Sequence, residues 1–230
     1  MKIDPEILTF LREIKVNNNK PWFDAHRAQY EQARASFLVF VSKFVEMVQA
    51  ADPGVGEQEP KQCVYRFNRD IRFSPDKSPY KRHFGAFVCP GGRKSVLPGY
   101  YLHIEPDNMF FCTGNYGLPS DMIKRLRTEI CNFPEDLEAI LEDKAFKSRM
   151  TLWDEEKLKS MPRGYEIDPR YAEYLKYKSL NARVDYTETE ITSEGFSDML
   201  SRDIEISKPL NDFFRRALET EPEDDGDLAI

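Results

Sequence analysis

This sequence predicts an α+β domain: an antiparallel sheet of about five strands covered by helices. Three observations predict it. Apolar residues recur at helical spacing before residue 52, they alternate with period two between residues 63 and 113, and they return to helical spacing after residue 119, with one late alternating stretch at 180–186. The expected boundaries are a single α+β domain over 1–218 and an acidic, disordered tail over 219–230.

The elements follow in order. Asp4-Pro5 suits a helix start, with Asp as N-cap and Pro in the first turn, and Ile7, Leu8, Leu11 and Ile14 supply one apolar face. Asn17-Asn18-Asn19 ends it. One long helix is expected from Pro21 to about Ala50, carried by Tyr30, Ala33, Phe37, Val41, Phe44 and Val48. Asp52-Pro53-Gly54, Gly56 and Pro60 then break the pattern. From Cys63 to Phe73 the residues Tyr65, Phe67, Arg69, Ile71 and Phe73 alternate with Val64, Arg66, Asn68, Asp70 and Arg72, which predicts a strand with one charged face.

Strands are also expected at 84–89, 100–105 and 109–113, the last two joined as a hairpin by Pro106-Asp107-Asn108. After Pro119, Met122, Ile123, Leu126 and Ile130 mark a helix, and Pro134 opens another with Leu137, Ile140 and Leu141. Residues 144–170 read as irregular, a short helix follows at 171–176, and Leu180, Ala182, Val184 and Tyr186 form a late strand. A terminal helix begins near Ser193, with Phe196, Leu200 and Ile204 inward and a bend near Pro209.

Composition excludes several classes. A chain of 230 residues with 40% hydrophobic residues, no run of 18 apolar residues and a polar start at Met1-Lys2-Ile3-Asp4-Pro5 is expected to be soluble and cytoplasmic, with no membrane partner. Cys63, Cys89, Cys112 and Cys131 show no CxxC pairing and read as free thiols, three of them in apolar settings. GxGxxG, GxxxxGK[ST] and GxSxG are all missing. The net charge of -7 conceals an uneven distribution, because residues 61–94 carry nine Lys or Arg against Asp70 and Asp76.

The densest chemical signal is Arg66-Phe67-Asn68-Arg69-Asp70-Ile71-Arg72-Phe73-Ser74-Pro75-Asp76-Lys77-Ser78-Pro79-Tyr80-Lys81-Arg82-His83. Together with Asn17 to Phe23, Gly99 to Pro106 and Lys157 to Tyr165, it resembles the bacterial and fungal domain-of-unknown-function family 2461, over about residues 5–218. The resemblance implies a single domain of the family's fold and carries no activity, cofactor or site assignment.

Physical reading of the same residues goes further. Pro75 and Pro79 stiffen the loop, so Arg66, Arg69, Arg72, Lys77, Tyr80 and Lys81 could receive a small phosphate- or carboxylate-bearing ligand. They equally suit a structural ion network satisfied by Asp70 and Asp76. Tyr101, His103 and Glu105 share one strand face and are candidates for general acid or base work in an enzyme, although cross-strand pairing on a solvated face also accounts for them. With His83 as a third ligand, His103 and Glu105 could hold a metal, but no HExxH-like spacing supports this and no metal site is expected.

Trp22, one turn from His26, is expected in the core, and Lys178 on a solvated strand. A nucleic-acid or protein interaction module is the remaining alternative, since Tyr65, Phe67, Phe73 and Tyr80 lie among the nine cations. The pI of about 5.2 and the acidic tail disfavour nucleic acid.

Overall fold

The computed structural model describes residues 1–153 and 157–219. The acidic residues beyond 219, expected to be disordered, lie outside the described set. The fold class is the predicted one, α+β with a five-stranded antiparallel sheet. Strands β1 (Phe84–Val88), β2 (Gly99–Ile104), β3 (Met109–Gly114), β4 (Thr151–Leu152) and β5 (Ala182–Tyr186) are ordered β1-β2-β3-β5-β4. The chain divides into two compact units: one of residues 1–95, 99–112 and 184–205, the other of 96–98, 113–183 and the chain from 206. No described helix is long and apolar enough to cross a membrane.

In the first unit, helix α1 (Pro5–Val16) begins where Asp4 accepts a hydrogen bond from the Glu6 amide, and it buries Ile7, Leu8, Phe10, Leu11 and Ile14. The long helix expected from Pro21 is instead two, α2 (Lys20–Ala25) and α3 (Arg27–Ala51). The break falls at His26, whose backbone leaves helical angles (φ -111°, ψ 19°) and whose ring Nδ1 lies 2.8 Å from the Trp22 carbonyl oxygen. A side chain bonded to a helical carbonyl competes with the backbone ladder. Beyond it, α3 buries Ala33, Phe37, Phe40, Val41, Phe44, Val45, Met47 and Val48.

The strand expected over 63–73 does not form. Cys63 ends a short helix, α4 (Pro60–Cys63), and only two isolated bridges, Val64 to Ala86 and Asn68 to Tyr80, mark the rest. Backbone bonds are correspondingly sparse: Tyr65 to Gly85, Arg69 to Pro79 and Lys81 to Phe67. Pro75 and Pro79 offer no amide to a partner, so the ladder cannot continue. Phe67 is buried, whereas Phe73, expected on the same face, is 94% exposed. The predicted strands at 84, 100 and 109 do form, β1 and β2 pairing with Phe84 opposite Ile104, Gly85 opposite His103 and Phe87 opposite Tyr101.

In the second unit, α5 (Ser120–Asn132) and α6 (Pro134–Glu142) appear as expected. Residues 144–152, expected to be irregular, form a helix and a short strand. Asp143 accepts bonds from the amides of Ala145 and Phe146 to start α7 (Lys144–Arg149), which buries Phe146. β4 pairs with β5 through Thr151 opposite Arg183, and at two residues it is too short to show a period. A 3-10 helix occupies Pro169–Lys176. A capping box at Thr187 and Glu190 starts α8 (Glu188–Ile191), which had no expectation, and α9 runs Phe196–Glu219 with Pro209 inside it.

Candidate functional site

The cation-rich segment folds largely onto itself. Arg69 donates from Nη1 to Asp76 (2.8 Å) and to the Ser78 carbonyl (2.9 Å), and from Nη2 to Ser74 Oγ (3.2 Å). Asp76 also accepts from the Ser78 hydroxyl and amide, and these bonds, with the nearby Arg69, hold its carboxyl down at about 2. Arg72 makes a two-point contact with Asp70, at 3.0 and 2.7 Å, with both side chains in solvent. Lys77 donates to the Ile71 carbonyl. Arg66 is exposed, with no hydrogen bond or ion pair to any described residue.

The Asn17 to Phe23 stretch explains how this loop is held. Asn17 donates to the Glu13 carbonyl at the end of α1, and Asn19 accepts from the Trp22 amide to cap α2. Asn18 grips the backbone of Tyr80 from both sides: its Nδ2 donates to the carbonyl at 2.9 Å and its Oδ1 accepts from the amide at 3.0 Å. The Tyr80 ring then stacks on Phe23 at 4.1 Å. Two sequence-distant stretches are thus one structural unit.

The second constellation lies on β2. Tyr101 donates its hydroxyl to His103 Nδ1 at 2.8 Å, and His103 Nε2 stands 3.3 Å from Glu105. Burial pushes the Tyr101 phenol up, so it stays protonated; the acceptor-only Glu105 carboxylate calls for an N–H on His103 Nε2, which leaves Nδ1 to accept from the phenol. The hydrogen bond from His103 holds the Glu105 carboxyl below its ordinary value, against the opposing effect of burial. The face was expected to be solvated and is not: Phe110 stacks on His103 at 4.6 Å, Tyr65 packs edge-on to Tyr101, and His103 is only 7% exposed.

Gly85, unremarked in the sequence, makes room for this chain of bonds. A Cβ there would sit 2.6 Å from the Tyr101 hydroxyl oxygen, so the phenol reaches His103 through the space left by a missing side chain. Continuing the β1–β2 register one step beyond Phe84 opposite Ile104 brings His83 opposite Glu105. The His83 ring lies 4.2 Å from that of His103. Burial first, then His103 and Lys81, lower the His83 pKa to about 3, leaving a neutral imidazole.

The two constellations meet. A pocket of about 230 Å³ is lined by Arg69, Asp76, Tyr80, Lys81, Arg82, His83 and Glu105. Of the six residues expected to bind a ligand, Arg69, Tyr80 and Lys81 line it; Arg66, Arg72 and Lys77 do not. Of the three acid–base candidates, Glu105 reaches the pocket wall, with His103 and Tyr101 linked behind it. Asp76, Arg82 and His83 are the additions, the last two following Lys81 in sequence. The Lys81 ammonium stands 5.1 Å from the centre of the Tyr65 ring and is half-buried. Burial, with Arg66 and Arg93 nearby, lowers its pKa.

The remaining candidates lie elsewhere. Trp22, expected in the core, is half-buried and stacks on His26 at 4.0 Å, while its neighbour Phe23 takes the core position. Lys178 borders a recess of about 20 Å³ with Trp153, Tyr177 and Asn181, room for about one water. All four cysteines carry thiols rather than disulfides, Cys63, Cys89 and Cys112 being buried and Cys131 half-buried.

The family model described as conserved hypothetical protein (DUF2461) matches residues 6–213. No curated protein and no solved structure matches the chain.

Proposed function

The chain belongs to the DUF2461 family, whose description supplies no activity, and we propose from its own geometry that it binds a small phosphate- or carboxylate-bearing ligand in the pocket beside Lys81. The observation that carries this reading is Lys81 itself. It is a half-buried ammonium on the pocket wall, and no described carboxylate or carbonyl accepts a hydrogen bond from it. Burying a cation is costly unless an acceptor compensates, and a ligand anion would do so. Arg82 adds a second cation, while Asp76 and Glu105 would orient the ligand by repelling its charge from their side.

Size narrows the ligand. About 230 Å³ is below the usual range of roughly 300–1,000 Å³ for drug-sized ligands, which favours a compact anion over a polymer such as nucleic acid. The test is calorimetric titration of the full chain with inorganic phosphate, citrate and a sugar phosphate in the presence of chelator. Binding of at least one probe that weakens at least about tenfold in Lys81→Ala and persists in Arg72→Ala supports the reading. Binding to none of them, or equal loss in both variants, rejects it.

A second reading, an enzyme acting on the bound anion, is favoured by the unbroken line from Tyr101 through His103 to Glu105 at the pocket wall. It predicts turnover of a chromogenic phosphate monoester that falls sharply in Glu105→Gln. Turnover unchanged by that substitution removes it.

A further inference from the structure

We propose that His83, His103 and Glu105 form a site for one divalent first-row transition-metal ion of the zinc, iron(II) or manganese(II) kind. One ligand atom from each lies within 4.8 Å of the other two. The His103 Nε2 to Glu105 Oε2 separation of 3.3 Å already matches the edge of a tetrahedron about a metal with bonds of about 2.1 Å. The wider separations close by turning the His83 ring, which no hydrogen bond to a described residue holds in place. That is the second observation: a half-buried imidazole whose nitrogens make no hydrogen bond to a described residue, beside a carboxylate and another imidazole.

The surroundings suit a ligand set. Tyr101 contacts the far nitrogen of His103, as the outer partners of metal-binding histidines do, and Asn108 donates toward Glu105 at 3.4 Å. With the ion on Nε2, the His103 proton sits on Nδ1 and is donated to the Tyr101 oxygen. Phe110 supplies an apolar wall. Two imidazoles and one carboxylate select a borderline metal over calcium or magnesium, and three protein ligands leave coordination positions open for water or an anion. His83 and Glu105 also line the pocket of Lys81 and Arg82, so an anion held there could complete the sphere. The metal site itself rests on neither of those cations.

No local motif announces this set, because its members are joined by strand register. The test uses the full chain stripped of metal. Zinc is titrated against a chromophoric chelator, and cobalt(II) is added as a probe read by its visible absorption. One equivalent should bind, weakened about tenfold or more in both His83→Asn and Glu105→Gln, and unchanged in His26→Gln. Melting curves of the metal-free variants establish that each is folded, and Glu105→Gln preserves shape if His83→Asn does not. No uptake, or uptake that survives both substitutions, overturns the site. Because anion binding is measured in chelator and metal binding without added anion, either can fail while the other stands.

Discussion

The loop at 66–82 and the paired strands β1 and β2 differ in what they advertise and what they deliver. The loop carries most of the charge, yet Arg72 pairs with Asp70, Lys77 caps the Ile71 carbonyl and Arg69 ties Asp76 to Ser74 and Ser78. The strands carry few ionisable groups, yet their register sets His83, His103 and Glu105 against one another at a pocket wall. Charge density marks where a chain can build an ion network; a site requires unsatisfied groups that converge. The two coincide at Lys81, where the loop runs into β1, whereas Arg82 beside it pairs with Asp76 at 3.6 Å.

The comparison breaks most readily at Asn18. If the loop is held by this clamp more than by its charges, Asn18→Ala should cost about 2–3 kcal/mol in denaturant unfolding, since both backbone groups of buried Tyr80 lose their partner. A cost below that of removing an exposed ion pair would place the stability in the charges instead. On the strand side, Gly85→Ala should destabilise by about 1–2 kcal/mol. The clash with the Tyr101 hydroxyl costs about 1–3 kcal/mol, and the lower backbone entropy of alanine offsets about 0.5–1 kcal/mol. In a Tyr101→Phe background the same substitution should cost less, a coupling read from the double-mutant cycle.

Acid sharpens the loop's side of the comparison. Asp76 is held at about 2, below its ordinary 3.8, so its contribution is fully present above about pH 4 and is lost as pH falls towards 2. Asp76→Asn should therefore flatten that part of the acid-unfolding profile while leaving the profile above pH 5 parallel to the parent. An unchanged acid limb would show that the loop's bonds do not matter to folding. The smallest effect belongs to Arg72→Ala: its pair is exposed and local, so neither the denaturant midpoint nor the anion affinity should move measurably.

Much of the fold was legible because its cues are local. Asp4-Pro5 and Asn17-Asn18-Asn19 bound α1, the α3 face repeats from Ala33 to Val48, and 84–113 alternates as a meander. The failures are places where a local pattern met a competing bond. His26 leaves helical angles with its ring on the Trp22 carbonyl, which splits a helix, and Pro75 and Pro79 in the facing segment withhold amides, so 63–73 never becomes a strand. For the site, Lys81, Tyr80 and Arg69 could be chosen by charge and loop stiffness, and Glu105 by alternation. His83 could be named as a third metal ligand by its chemistry alone; its place beside His103, 20 residues away, comes from the pairing of β1 with β2. Gly85 was silent because its contribution is the side chain it lacks.

The central claim, that loop cations and strand imidazoles share one anion pocket, is tested most directly by following the three histidines of the chain by NMR. Imidazole-labelled full-length protein is titrated with inorganic phosphate in the presence of chelator. The account predicts that the His83 resonances shift with saturation, His103 follows more weakly, and His26 stays still, with the response lost in Lys81→Ala. Shifts spread equally over all three histidines, or none at His83 at phosphate concentrations that saturate binding, would contradict it.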